Sequence, residues 1–166
     1  MFLHPHKPFP MKITILAVGT KMPRWVDEAY SDYAKRFGRD ISLELKEIKP
    51  EKRGGGVTAE KGIAAEHERL MAAIPPRARL VVMDERGKNW TSVKLAEGLK
   101  EWMAGGDDVV FVIGGADGLS TELKQRADVL LQLSAMTLPH GMVRVMLAEQ
   151  IYRAYSILNN HPYHRE

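Results

Sequence analysis

The chain has 166 residues, 45% of them hydrophobic and 27% charged, with a formal net charge of +3 and a pI near 9.1. That composition suits a single soluble domain with a core of its own, and the mild basic excess permits an anionic partner such as RNA without demanding one. The absence of Cys excludes disulfides, thiolate metal sites, iron–sulfur clusters and thiol nucleophiles, and no apolar run is long enough to span a bilayer, so the expectation is a cytoplasmic protein with no membrane role.

The first ten residues, MFLHPHKPFP, lack the apolar stretch of a signal peptide and carry neither helical nor strand periodicity. They read as an extension outside the fold. A metal role for His4 and His6 has no other support in the sequence. Residues 11–166 read as one domain with no repeat and no linker.

Lys12 to Val18 is a β-branched, apolar run ended by Gly19, the signature of a buried strand. After a turn at Thr20 to Pro23, Arg24 to Phe37 reads as a helix with Trp25, Ala29, Tyr33 and Phe37 on its buried face and Gly38 as its stop. Ile41 to Ile48 alternates apolar and polar residues and reads as a half-exposed strand. Lys49 to Val57 (KPEKRGGGV) is a basic loop with three consecutive glycines. It is either a solvated connection or a phosphate-contacting flap, and it is not a Walker loop, because no Gly-Lys-Ser/Thr follows.

Thr58 caps a helix that Pro75 and Pro76 end near Ile74. Ala78 to Met83 is a nearly all-apolar strand, as in a parallel sheet covered on both faces, and Asp84 to Trp90 follows as a polar loop. Thr91 caps the next helix, to about Met103, with Gly105 and Gly106 as terminators. Asp108 to Ile113 is a fourth strand, leading into Gly114-Gly115-Ala116-Asp117-Gly118, with Ser120 capping a short helix. Ala127 to Leu133 is a fifth strand, and the last helix runs from His140 or Gly141 to Leu158. The alternation predicts an α/β fold with a mostly parallel sheet and helices on both faces.

Ligands of such sheets bind outside the carboxyl ends of the strands. Met83, Gly114-Gly115 and the turn Ser134-Ala135-Met136-Thr137-Leu138-Pro139 stand there. The glycine pair lets a ligand approach the backbone or simply makes a tight turn. The turn offers two hydroxyls and the apolar walls of Met136 and Leu138, chemistry suited to adenine. On the last helix, Glu149 and Arg153 are spaced for an i,i+4 ion pair. The wide apolar surface, including Tyr152 and Tyr155, suggests a second protomer. Arg144 stands among apolar neighbours and needs a partner, a ligand or a route to solvent. The tail holds Asn159, Asn160, His161, Tyr163, His164 and Arg165, which suit a base and a phosphate unless the terminus is merely frayed. No Ser sits in a nucleophile elbow and HPYH is no zinc site.

VGTKMP (Val18–Pro23), IGGADG (Ile113–Gly118), SAMTLPHGMVRVMLAEQIYRA (Ser134–Ala154) and NHPYHRE (Asn160–Glu166) closely resemble the RlmH family, the bacterial large-subunit rRNA pseudouridine N3-methyltransferases of the SPOUT class. The family often has Pro where Ala116 stands, which bears only on the stiffness of that loop. The resemblance covers Met11 to Glu166. It implies an α/β trefoil knot formed by the last strand–helix region, a homodimer, and no metal. It implies S-adenosylmethionine held by Met83, Gly114, Gly115 and Ser134 to Pro139. The implied substrate is a pseudouridine of 23S rRNA in the assembled ribosome. His140, His164 and Arg165 are then the candidates for proton handling and imide-charge stabilisation, with Arg144 and Tyr163 toward the substrate. A non-catalytic ribosome-associated RNA-binding protein and a flavodoxin-like nucleotide-binding oxidoreductase are the alternatives.

Overall fold

The computed structural model describes residues 10–164; the extension bearing His4 and His6 lies outside the described residues, apart from Pro10. The elements are β1 (Met11–Val18), α1 (Arg24–Ala34), β2 (Ile41–Ile48), α2 (Ala59–Ala73), β3 (Arg79–Asn89), α3 (Ser92–Gly105), β4 (Val109–Ile113), α4 (Thr121–Arg126), β5 (Val129–Gln132) and α5 (His140–Leu158), followed by a 3-10 turn at Pro162–His164. Three of the helices begin where a hydroxyl accepts an orphan backbone N–H: Thr58 from Lys61, Thr91 from Lys94 and Ser120 from Leu123. Each such cap stabilises its helix by about 1 kcal/mol.

All five strands are parallel, in the order β2-β1-β4-β3-β5. A flavodoxin-like sheet runs 2-1-3-4-5, so the exchange of β3 and β4 excludes the flavodoxin-like order on which the oxidoreductase alternative was based. The central strands β1 and β4 are buried almost throughout. Helices α1, α3 and α5 cover one face, packing Tyr30, Leu99, Leu147 and Ile151 on Ile13, Ile15 and Phe111. Helices α2 and α4 cover the other, packing Leu70, Ile74 and Leu123 on Leu16, Val82 and Val112. Burying each such side chain stabilises the fold by about 1.5–3 kcal/mol.

Three sequence expectations change. In α1 the buried residues are Val26 and Tyr30 and Trp25 is 50% exposed; Tyr33 and Phe37 do pack on the core, so the buried face takes Val26 in place of Trp25. The helix also ends at Ala34 rather than Phe37. Gly38 is not its stop: a Cβ there would lie 2.6 Å from the Tyr155 hydroxyl, which instead accepts the Gly38 N–H. Finally, the polar stretch after Met83 is no loop. β3 continues to Asn89 with a register shift, so that Met83 and Lys88 both pair with Leu131. A bulge of this kind pushes the intervening residues out of the ladder.

Candidate active site

The carboxyl ends of β1, β3, β4 and β5 open on a cavity of about 1040 Å³. Of the residues singled out for a cofactor, Met83, Gly114, Gly115, Ser134, Ala135, Met136, Thr137 and Leu138 line it. Pro139 does not; it is the N-cap of α5, just beyond the wall. The Ser134 hydroxyl accepts the Met136 N–H at 3.0 Å, a local bond that shapes the turn. Met136 is 79% exposed, so it stands at the rim, and the apolar wall is built by Met83, Leu131, Leu133 and Leu138.

The glycine pair makes the tight turn that was one of its two readings, closed by the Gly118 N–H donating to the Gly115 carbonyl at 3.1 Å. A Cβ on Gly114 would lie 2.8 Å from Leu119 Cγ, and one on Gly115 would lie 3.0 Å from Val18 Cγ1 and 3.4 Å from Glu66 Oε1. Both glycines therefore let the loop pack on its own return and on β1, while their backbone stays in the cavity lining. The β3 bulge adds Asp84, Glu85 and Arg86, from the stretch expected to be a polar loop, to the lining. The sequence signal is Gly87 itself, since a Gly in a strand marks a bulge or a close backbone approach; in the structure a Cβ there would lie 2.7 Å from the backbone of Leu130 and Leu131.

His140 lines the cavity from the first turn of α5. Arg144, one turn on, is completely buried. Its Nε–H donates to His140 Nε2 at 3.0 Å, Nη1 to Glu47 Oε2 at 2.7 Å and Nη2 to the Gly19 carbonyl at 2.9 Å. The partners that the buried charge required thus come from β2, the end of β1 and its own helix. A guanidinium only donates, so His140 Nε2 is the acceptor and Nδ1 carries the proton, facing the Gly114 carbonyl at 3.2 Å. Burial, and then the charge of Arg144, hold the His140 pKa below its ordinary value. The imidazole is neutral, and both of its nitrogens are engaged inside the protein. Arg144 has no exposed surface to offer a substrate in this protomer.

The tail does not fray over its described residues. His164 Nδ1 lies 2.8 Å from Ser156 Oγ. The Tyr163 hydroxyl donates to Glu149 at 3.0 Å and lies 3.4 Å from the Tyr33 hydroxyl. Its ring meets Tyr152 edge-on at 4.8 Å and faces the Arg153 guanidinium at 5.2 Å. Burial, with the bonds to Tyr33 and Glu149, raises the Tyr163 pKa. The Glu149–Arg153 pair is present at 2.6 Å, and it belongs to this tail cluster. Tyr152, expected at a subunit interface, is only 7% exposed and packs inside the protomer. Arg165 lies outside the described residues. From His140 to Ser156, α5 rises about 24 Å. One protomer therefore keeps His140 and the cavity at one end of α5 and His164 at the other.

Among the described residues, no three His, Asp or Glu side chains converge as metal ligands, and no helix is long and apolar enough to cross a membrane.

The family model described as "Predicted SPOUT methyltransferase" matches residues 11–164. The chain belongs to the SPOUT methyltransferases. Among its relatives in that family are proteins named ribosomal RNA large subunit methyltransferase H. The one from Chromobacterium violaceum is 97% identical over 156 residues, covering 94% of this chain and all of that protein. Those from Laribacter hongkongensis and Neisseria meningitidis are 79% and 67% identical over the same coverage. The SPOUT fold is shared with a solved structure described as a probable rRNA-methyltransferase from Porphyromonas gingivalis, at a TM-score of 0.55 and 13% identity, covering 92% of this chain and 71% of that one. A probable methylase family protein from Haemophilus influenzae gives 0.54 at 13%, covering 94% and 70%.

Proposed function

We propose that this SPOUT chain methylates N3 of a pseudouridine in large-subunit rRNA, using S-adenosylmethionine, acting as a homodimer on assembled ribosomes in the cytoplasm. The observation that carries the reading is the cavity at the strand ends, with apolar and carboxylate walls, in a chain whose relatives are named for rRNA methylation. Met83, Leu131, Leu133 and Leu138 suit an adenine face, and Asp84 and Asp117 suit hydroxyl or ammonium groups. The knot implied by the family belongs to the same reading.

When bound, the cofactor supplies a methyl group already carried on a sulfonium. The protein's task is to place N3 in line with it and to manage the N3 proton, which lies between two carbonyls. His140, with both nitrogens engaged, is assigned to positioning: it holds the Gly114 carbonyl at the cavity wall. Arg144 acts through His140 and Gly19 rather than on the substrate. Proton traffic falls to His164, tethered through Nδ1, and stabilisation of imide charge to Arg165. Tyr163 anchors the tail that presents them.

The tail and the cavity are too far apart in one protomer to act together. We therefore assign the complete site to one protomer's cavity and the tail of its partner. Trp25 and Val93, both substantially exposed, and the half-buried Met142, Val145 and Met146 of α5 provide apolar surface for that pairing.

The test is methyl transfer to ribosomes from cells that lack the endogenous activity, read by nucleoside mass spectrometry. Methylated pseudouridine in the large-subunit rRNA is the expected product. Binding to ribosomes with no methyl transfer would favour the RNA-binding reading instead.

A further inference from the structure

The three-glycine loop between β2 and α2 is not absorbed by the function above. Gly54, Gly55 and Gly56 all have positive φ, at 96°, 60° and 88°, and a Cβ on any of them would meet nothing within 4 Å. They are there for backbone conformation, not for packing. The hairpin they make is closed by the Val57 N–H donating to the Gly54 carbonyl at 3.1 Å, and it presents Arg53.

The Arg53 guanidinium lies in a slot. A Cβ on Gly62 of α2 would come within 2.2 Å of it, so only Gly leaves the space. On one side Arg53 meets Glu66, at 3.3 Å and 3.4 Å. Glu66 is only 3% exposed and is held in turn by the Glu51 N–H at 2.9 Å. On the other side Arg53 Nε donates to Asp117 Oδ2 at 2.6 Å. Asp117 sits in the Gly114–Gly118 loop and lines the cavity, as does Pro50 from the same segment as Arg53.

We propose that Arg53 is a positioning residue for the methyl-donor pocket. It latches the β2–α2 loop and the buried Glu66 to Asp117, and so fixes the wall formed by the Gly114–Gly118 loop. A charge-assisted bond from a guanidinium held by a second carboxylate sets both the place and the orientation of Asp117. Without it the loop samples other conformations, and the ligand must order the loop when it binds.

The proposal rests on the reading of the cavity as the methyl-donor site, and the experiment separates the two. Binding of S-adenosylhomocysteine is measured by calorimetry for wild type, Arg53→Met, Arg53→Lys, Gly62→Ala, Asp117→Asn and the Arg53→Met/Asp117→Asn double variant. Gly62→Ala displaces the guanidinium while Arg53 and every residue lining the cavity keep their own side chains. It replaces a helical Gly by a better helix former, so the fold is kept. Arg53→Met and Gly62→Ala should each bind about tenfold more weakly, with kcat at saturating cofactor near wild type. Arg53→Lys should recover part of the loss, and the double variant should be no worse than Asp117→Asn alone. Wild-type affinity in both Arg53→Met and Gly62→Ala, or fully additive losses in the double variant, would overturn the latch. No binding by the wild type would overturn the cavity assignment, and the latch with it.

Discussion

Arg144 donates its Nε–H to His140 Nε2 across 3.0 Å, and this bond decides which nitrogen of His140 bears the proton. The protonated imidazole has no acceptor to offer, and it would place a second cation against the guanidinium. His140 is therefore held neutral, its pKa lowered from 6.5 by burial and then by Arg144. With the folded-state value lowered, the unfolded chain binds the proton more readily. The stability is fully present above about pH 6.5 and is lost as pH falls through and below that value toward the lowered one. The melting temperature should therefore decline from neutral pH to about pH 5, and less steeply in His140→Gln. Parallel declines in the two proteins would refute the assignment. Arg144→Met should cost about 2–3 kcal/mol, below the fully buried range because Glu47 keeps contact with water.

The steric test of the cavity has to avoid Gly115. A side chain there strikes Val18 and Glu66, so Gly115→Leu should lower the melting temperature whatever the cavity binds. Leu138→Asp puts a carboxylate into the apolar wall at a half-buried position. It should weaken S-adenosylhomocysteine binding at least about tenfold while the far-UV spectrum stays unchanged. Calorimetry and circular dichroism on the same sample decide this, and unaltered affinity would exclude Leu138 from the site.

A site divided between protomers predicts complementation. Arg165→Ala should lower methyl transfer strongly while cofactor affinity and assembly stay near wild type. Refolding equal amounts of Arg165→Ala and Leu138→Asp together should restore about a quarter of wild-type activity, since half of randomly paired dimers carry one intact site. Activity no higher than the sum of the single variants would place the tail and the cavity of one chain in the same site. Deleting Tyr163 to Glu166 should also cost stability, because Tyr163 packs on Tyr152, Tyr33 and Arg153.

Light scattering should give a dimer at micromolar concentration. Met146→Glu, on the half-buried face of α5, should shift it toward monomer with the fold retained. Tyr152→Asp should instead unfold the protomer, because a carboxylate would enter the cluster of Tyr33, Phe37 and Tyr163. A folded monomer from Tyr152→Asp would reverse that assignment.

The Tyr30 hydroxyl is buried and has no hydrogen-bond partner among the described residues; burial, and then Glu44, raise its pKa. Removing an unsatisfied buried hydroxyl while keeping the ring should stabilise the protein by about 1 kcal/mol. Tyr30→Phe should therefore melt higher than wild type, and a lower melting temperature would mean that the hydroxyl has a partner in solution.

Local chemistry in the sequence determined the elements. The apolar runs of β1 and β4, the alternation of β2 and the hydroxyl caps at Thr58, Thr91 and Ser120 depend on near neighbours in the chain, and each is where its pattern placed it. The turn from Ser134 to Leu138 was likewise marked by its own residues as a cavity wall. Periodicity reports which side of an element is buried, not what it is buried against. The order of β3 and β4, the bulge that turns Asp84 to Arg86 into the cavity and the burial of Tyr152 by Tyr163 were settled only in three dimensions. So was Arg144, whose partners Glu47 and Gly19 stand 97 and 125 residues away. Nothing local distinguishes a substrate-binding arginine from one that is completely satisfied inside the fold. The separation of the tail from the cavity has the same origin: both ends of α5 are rich in polar chemistry, but the helix holds His140 and the tail's tether at Ser156 about 24 Å apart.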